Sequence, residues 1–124
     1  MILLVEDEER ARETIGRMLE RAGYGVIGAG DGLEALSLME KRSCDLVLSD
    51  ILMPNLNGYA LVARIRSKWP NMPIILMSGY LPQDAGKRME GILNTHIEFI
   101  PKPIDPSALT AIVQRLIPAV TASK

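Results

Sequence analysis

The chain has 124 residues, 48% of them hydrophobic and 23% charged, a composition typical of one globular domain that argues against disorder. Fourteen basic and fifteen acidic residues leave a formal net charge of −1, so no global field attracts nucleic acid or an anionic membrane, and direct contact with either is not expected. One cysteine and one histidine exclude an internal disulfide and a cysteine–histidine zinc site. No apolar run has the length of a signal peptide or a membrane span, which predicts a cytoplasmic location.

Hydrophobic periodicity divides the chain into five strand–helix units. Short apolar runs predict strands, and apolar residues at three- and four-residue steps predict helices. In chain order the elements are strand 2–5, helix 9–22, strand 25–29, a helix opened by Asp31, strand 45–50, helix 58–67, strand 73–77, helix 82–93, strand 97–100 and a helix opened by Asp105 and Pro106. The helix opened by Asp31 is predicted to extend over the apolar residues Leu33, Ala35, Leu36 and Met39.

Local signals mark most of the helix ends. Asp31 and Asp105 are predicted N-cap residues, and the proline after Asp105 suits a first helical position. Gly23 ends the first helix, and Trp69, which precedes a proline, closes the third. The helix at 82–93 contains two glycines, each of which costs about 1 kcal/mol relative to alanine, so it is predicted to be the most mobile helix.

Strict alternation of strands and helices predicts an α/β fold with a doubly wound parallel sheet. Right-handed crossovers place helices on both faces, and the strands at 45–50 and 73–77 lack the polar alternation of a wet face. The carboxyl ends of all the strands then share one edge, where open α/β sheets bind their ligands. Five polar groups from four strands converge on that edge: Glu6, Asp7, Asp50, Ser78 and Lys102.

The polar groups at this edge point to phosphoryl transfer. Glu6, Asp7 and Asp50 would repel one another in their ionised forms unless a cation lay among them or a proton were shared. Oxygen ligands without imidazole or thiolate favour magnesium (Mg2+), which binds one or two carboxylates together with phosphate. In such a site Lys102 would hold a phosphoryl oxygen as a point charge, and Ser78 would donate a hydrogen bond.

Taken together, these motifs resemble the receiver domain of two-component response regulators over essentially the whole chain. The motifs are Glu6-Asp7 after the first strand, Asp50 with Met53-Pro54 and Gly58 after the third, Ser78-Gly79 after the fourth and Lys102-Pro103 after the fifth. The resemblance implies a flavodoxin-like five-stranded parallel sheet of order 2-1-3-4-5. We expect the receiver domain at residues 1–118 and a tail or linker remnant at 119–124.

The resemblance also implies an acceptor and a metal site. Asp50 would accept a phosphoryl group from a phosphohistidine. Asp7 and Asp50 would bind Mg2+ together with the backbone carbonyl of Leu52, and Glu6 would act through metal-bound water. Glu6 stands where aspartate is commonest in the family, which is a frequent variation.

A two-state switch is implied as well. Ser78 and Lys102 would contact the phosphoryl oxygens as catalytic groups, and inward movement of Ser78 would let Phe99 rotate at the position where the family often has tyrosine. This change would reshape the face formed by the predicted helix at 82–93, the fifth strand and the last helix. A cis peptide bond is expected at Lys102-Pro103.

The implied donor is a histidine kinase or a histidine phosphotransfer domain. The implied reader of the switch is a downstream output domain or a second copy in a homodimer. The domain would catalyse its own phosphorylation and dephosphorylation without being an enzyme for a separate substrate. Residues 77–80 and 101–105 most resemble receivers of hybrid sensor histidine kinases, and both a stand-alone protein and a fragment of such a kinase stay open.

Two other classes share part of this pattern. Phosphatases of the haloacid dehalogenase type also place a nucleophilic aspartate after a strand, but in an Asp-x-Asp motif, and Leu52 occupies the place of the second aspartate. A receiver-like interaction module that is never phosphorylated is the stronger alternative. Such modules usually lose the acidic pair or the lysine that this chain retains, and Mg2+ binding would separate the two.

Overall fold

The computed structural model describes residues 1–53, 55–79 and 97–117. In chain order its elements are β1 (Ile2–Val5), α1 (Glu9–Arg21), β2 (Val26–Ala29), α2 (Gly32–Lys41), β3 (Leu46–Asp50), α3 (Gly58–Lys68), β4 (Ile74–Ser78), β5 (Ile97–Pro101) and α4 (Pro106–Leu116). The five predicted strands are confirmed, with bounds within one residue of those expected. The helix predicted at 82–93 and the tail at 119–124 lie outside the described residues.

The strands form one parallel sheet in the order β2-β1-β3-β4-β5, which confirms the predicted topology. Neighbouring strands all run in the same direction, so their carboxyl ends share one edge. The register places Asp50 opposite Met77, and Ser78 opposite Pro101. The sheet therefore brings the acidic end of β3 next to the polar end of β4.

Hydrophobic clusters cover both faces of the sheet, because alternate strand residues point to opposite sides. The cluster that packs α1 and α4 on one face is built from Ile2, Leu4, Ile15, Leu19, Tyr24, Leu46, Leu48, Ile75, Met77, Ile100, Leu109, Val113 and Ile117. The cluster that packs α2 and α3 on the other is built from Leu3, Val5, Ala29, Ala35, Met39, Val47, Ile51, Leu61, Val62, Ile65, Ile74 and Leu76. Burial on two sides explains the strands that lack polar alternation.

The helix ends follow the local signals. The side chains of Asp31, Asn57 and Asp105 each accept a hydrogen bond from the backbone amide three residues further on, which is the geometry of an N-cap. The caps at Asp31 and Asp105 were predicted, whereas the cap at Asn57 was not. Gly23 follows α1 with a φ of +100°, a backbone conformation that glycine adopts at little cost.

The predicted helix over residues 33–39 is confirmed, but its apolar residues do not all face the core. Leu33 is 51% exposed, whereas Ala35 and Met39 are buried. Residues two positions apart on a helix do not face the same side, so Leu33 cannot share the buried face of Ala35 and Met39. Among the described helices, none combines the length and the apolar character that crossing a bilayer requires.

Tyr24 offers a test of packing in the α1 and α4 cluster. Its side chain is buried, and its hydroxyl has no hydrogen-bond partner among the described residues. We expect Tyr24→Phe to raise the free energy of unfolding by about 1 kcal/mol, because the substitution removes an unsatisfied buried polar group. Urea unfolding of the two proteins measures the difference. A lower stability for Tyr24→Phe would show that the hydroxyl has a partner after all.

Candidate functional site

The five polar groups predicted to converge lie at the carboxyl edge of the sheet. Glu6 and Asp7 follow β1, Asp50 ends β3, Ser78 ends β4 and Lys102 follows β5. Glu6, Asp50 and Ser78 are buried, with exposed fractions of 1%, 7% and 4%. Asp7 is exposed, so the cluster opens to solvent on its side.

Three carboxylates meet at this edge. Glu6, Asp7 and Asp50 each offer one oxygen, and these three atoms lie within 4.8 Å of one another. Like charges at this separation repel, so a cation between them would lower the energy of the ionised state. All three ligand atoms are carboxylate oxygens, the type that hard divalent cations prefer. The residues present therefore fit a site that could hold a metal ion.

Lys102 supplies positive charge inside the cluster. Its Nζ donates to Glu6 Oε1 at 2.9 Å and to Asp50 Oδ2 at 3.0 Å. Its backbone amide donates to the carbonyl oxygen of Ser78 at 2.8 Å, which ties the end of β5 to the end of β4. The peptide bond between Lys102 and Pro103 is cis, as expected.

Burial and the charged groups of this cluster shift the pKa values of Glu6 and Lys102. Burial raises the pKa of the Glu6 carboxyl, and the charge of Asp50 adds to this effect, while hydrogen bonds from Lys102 and from the Glu8 amide oppose it. Burial alone would lower the pKa of Lys102, but its hydrogen bonds to Glu6 and Asp50 outweigh that cost and raise the pKa. Lys102 therefore stays charged at neutral pH, and Glu6 takes up a proton more readily than an ordinary glutamate.

The loop that follows Asp50 is fixed by contacts with two helices. The amide of Gly58 donates to the carbonyl oxygen of Ile51 at 2.7 Å, so the start of α3 lies against the end of β3. Asn55 has a φ of +69°, and its side-chain amide donates to Asp31 Oδ2 at 3.0 Å. Asparagine tolerates this left-handed conformation better than most residues. The sequence indicated Gly58 as part of a motif, but it did not indicate Asn55.

Leu52 and Phe99 lie at the margin of the cluster and in the adjoining core. Leu52 is 75% exposed, two residues beyond the acceptor aspartate of the predicted site. Phe99 is half-buried, lies opposite Leu76 in the register and packs against the cluster of α2 and α3. The metal-binding role of the Leu52 carbonyl and the switch role of Phe99 stay predictions.

Sequence reasoning missed Arg12. Its Nη1 donates to the backbone carbonyl oxygen of Glu6 at 2.6 Å. A cation in the first turn of a helix opposes the helix dipole, so its presence there indicates some other stabilising contact. Arg10 and Arg12 both lie in the first turn of this helix, and the sequence alone does not show which of them makes the contact.

Comparison with known proteins agrees with this geometry. The family model for the "Response regulator receiver domain" matches residues 2–114. A putative two-component response regulator of Arabidopsis thaliana, ARR21, is 34% identical over 115 residues, which cover 91% of this chain and 18% of that protein. The chemotaxis protein CheY4 of Vibrio cholerae superposes with a TM-score of 0.85 at 28% identity, covering 93% of this chain and 96% of that one. The receiver domain of the hybrid histidine kinase CckA superposes with a TM-score of 0.78 at 35% identity, covering 94% and 97%.

Several of the curated relatives are larger proteins, of which this chain matches only one part. The chain spans 18%, 47% and 24% of the lengths of three of the curated relatives that it matches. The family match nevertheless covers nearly all of this chain, and the sheet order and the acidic edge agree with it. The chain therefore belongs to the response regulator receiver domains, the phosphoacceptor modules of two-component signalling.

Proposed function

We propose that Asp50 is the phosphoacceptor of this domain. A carboxylate oxygen of Asp50 would attack the phosphorus of a phosphohistidine, and the bond between phosphorus and the imidazole nitrogen would break as the histidine leaves. One observation carries the proposal: Asp50 is a buried carboxylate at a strand end, and both a lysine and two further acids adjoin it. The domain would thereby catalyse its own phosphorylation. In dephosphorylation a water oxygen would attack the same phosphorus, and the bond between phosphorus and the Asp50 oxygen would break, which releases inorganic phosphate and the free carboxylate.

The acidic cluster supports a Mg2+ site in this proposal. Asp7, Asp50 and the carbonyl of Leu52 would bind the ion directly, and Glu6 would act through metal-bound water. Bound Mg2+ would neutralise charge on the oxygens of the transferred phosphoryl group. The three carboxylate oxygens within 4.8 Å of one another support this assignment. Lys102, already hydrogen-bonded to Asp50, would hold one phosphoryl oxygen.

The direct test is intact mass spectrometry after incubation with acetyl phosphate and MgCl2, repeated with the metal chelated. We expect one phosphoryl group per chain, formed only with the metal present, and fragment masses should place it on the peptide that contains β3. The absence of an adduct on folded protein that also fails to bind Mg2+ would favour the alternative, a receiver-like interaction module that is not phosphorylated.

The donor in this proposal is a histidine kinase or a histidine phosphotransfer domain. A groove of about 420 Å³ lies beside Lys102 and supports the approach of such a partner to the acceptor. The groove is lined by Glu8, Arg10, Ala11, Thr14, Ile15, Met18, Lys102, Pro103 and Ile104. A helix of the partner that bound in this groove, parallel to α1, would therefore reach the acidic edge of the sheet.

Phosphorylation would change a surface that a partner reads. Ser78 would move toward the phosphoryl group, Phe99 would rotate, and the face that includes β5 and α4 would change shape. The third part of that face, the helix predicted at 82–93, lies outside the described residues. The half-buried position of Phe99 supports this role. An output domain or a second copy of the chain would bind the altered face.

Lys102→Ala should impair switching more than phosphorylation. A phosphoryl group adds roughly two negative charges, and Lys102 is the group that joins the acids to the end of β5. We expect the variant to form the adduct in the mass experiment, whereas the chemical shifts of β5 and α4 amides should respond far less than in wild type. Lys41→Ala, at an exposed lysine in the last turn of α2, is the control. An undiminished response in Lys102→Ala would contradict the role given to the lysine.

We further propose that the receiver domain covers residues 1–118, that 119–124 are a tail or linker remnant, and that the domain is cytoplasmic. The family match covers residues 2–114, which supports the proposed extent of the receiver domain. Residues beyond 117 lie outside the described part of the chain. The single cysteine is in keeping with a reducing compartment.

A further inference from the structure

Arg12 connects the first helix to the backbone between two of the site acids. It lies in the first turn of α1, is half-buried, and donates from Nη1 to the carbonyl oxygen of Glu6 at 2.6 Å. That carbonyl belongs to the peptide unit that joins Glu6 to Asp7. A hydrogen bond from a guanidinium is charge-assisted and therefore stronger than one between neutral groups. Arg12 thus fixes the orientation of the peptide that carries both carboxylates.

The aliphatic part of Arg12 lies across the edge strand β2 at Gly28. A β-carbon placed on Gly28 would lie 3.1 Å from Arg12 Cδ, which is closer than side chains normally pack, and 3.5 Å from Nε, an ordinary contact distance. Gly28 is opposite Leu4 in the register, two residues before Glu6. Glycine at 28 therefore leaves the room that the arginine needs to reach the end of β1.

The backbone of Glu6 is held from both sides. Its amide donates to the carbonyl oxygen of Ala29 at 3.0 Å, and its carbonyl accepts from Arg12. Lys102 separately holds the Glu6 carboxylate. Asp7 is exposed, so the placement of its carboxylate depends mainly on the peptide that Arg12 orients.

We propose that Arg12 is a positioning residue for the metal site: through the Glu6–Asp7 peptide it holds the acids in the arrangement that binds Mg2+. This inference rests on the metal site of the proposed function and adds a residue that touches neither metal nor phosphoryl group. Residues that orient metal ligands typically account for 10- to 100-fold in metal affinity, and we expect about tenfold for Arg12.

The test compares three substitutions in α1 of the full chain. Arg12→Met keeps the aliphatic stem and removes the donors, Arg12→Lys keeps a charged donor, and Arg17→Met removes an exposed arginine of the same helix as the control. In the metal-free protein, Arg12→Met should move the amide resonance of Asp7, and Arg17→Met should not. Calorimetric titration with MgCl2 should give a dissociation constant about tenfold higher for Arg12→Met, an intermediate value for Arg12→Lys and the wild-type value for Arg17→Met.

Gly28→Ala tests the same contact from the other side. It should displace the arginine stem and weaken Mg2+ binding, and it should add little when combined with Arg12→Met, so it also serves if Arg12→Met folds poorly. Lower thermal stability of metal-free Arg12→Met with an unchanged Mg2+ dissociation constant would overturn the inference and leave Arg12 a role in folding alone. Failure of the wild type to bind Mg2+ would overturn the metal site itself, a distinct result.

Discussion

Asp50→Asn is expected to take up no phosphoryl group from acetyl phosphate under conditions in which the wild-type chain takes up one. Asparagine has nearly the size of aspartate, and its amide oxygen can still accept the hydrogen bond that Lys102 makes at 3.0 Å. It lacks the anionic oxygen that would attack phosphorus. Because Asp50 is buried at the end of β3, no other side chain can take over its position without moving the strand.

Asp45→Asn is the matched control for this substitution. Asp45 precedes the same strand at its opposite end, where its exposed carboxylate pairs with the N-terminal ammonium at 2.7 Å. Asp45→Asn should take up one phosphoryl group, as the wild type does, when both are measured by intact mass. An adduct of normal yield on Asp50→Asn would contradict the assignment and move the acceptor to another carboxylate, of which Asp7 is the nearest exposed one.

Asp50→Asn and Asp45→Asn should also differ in how much MgCl2 raises their melting temperatures. A ligand at 100 times its dissociation constant adds about 2.7 kcal/mol to the free energy of unfolding. Asp50→Asn removes the negative charge of one of the three clustered carboxylates, so its melting temperature should rise much less on addition of MgCl2 than that of the wild type. Asp45→Asn should keep the full rise.

The sequence alone predicted Asp50, the proposed acceptor, and Lys102 at the edge of the sheet, because both positions depend on where strands end. The apolar runs marked the ends of β3 and β5, and parallel topology brings such ends to one edge whatever the detailed packing. Asp50 and Lys102 therefore follow from the pattern of the chain. Their direct contact, in which Lys102 bridges Asp50 and Glu6, depends on side-chain conformation and could be seen only in the structure.

The residues that hydrophobic periodicity did not reveal make their contacts through a long side chain or an unusual backbone conformation. Arg12 lies six residues beyond Glu6, whose carbonyl oxygen it binds, and its long side chain lies beside Gly28 of β2. Asn55 contributes a left-handed backbone and a bond to Asp31, a residue 24 positions earlier. Leu33 is exposed although it is apolar, because its position on α2 does not face the same side as that of Ala35.

Gly58→Ala is expected to lower the free energy of unfolding by about 3 kcal/mol, the upper end of the cost of overpacking. A β-carbon placed on Gly58 would lie 2.7 Å from the carbonyl oxygen of Asp50 and 2.8 Å from the α-carbon of Ile51. Both are backbone atoms, so no side chain can rotate away, and the start of α3 must move off the end of β3. This steric cost exceeds the gain of about 1 kcal/mol that alanine gives over glycine within a helix.

Gly16→Ala, in the middle of α1, measures the stabilisation that alanine gives over glycine in a helix without a close contact. A β-carbon placed there would lie 3.8 Å from Leu4 Cδ2, an ordinary van der Waals contact. Urea unfolding should therefore show opposite signs, with Gly16→Ala more stable than the wild type by about 1 kcal/mol and Gly58→Ala less stable. A Gly58→Ala protein more stable than the wild type would mean that the contact between Gly58 and Asp50 is not close, and a destabilised Gly16→Ala would contradict the helical gain. Because that contact involves the carbonyl of Asp50 itself, the fraction of Gly58→Ala that remains folded should also bind Mg2+ more weakly, whereas Gly16→Ala should bind it as the wild type does.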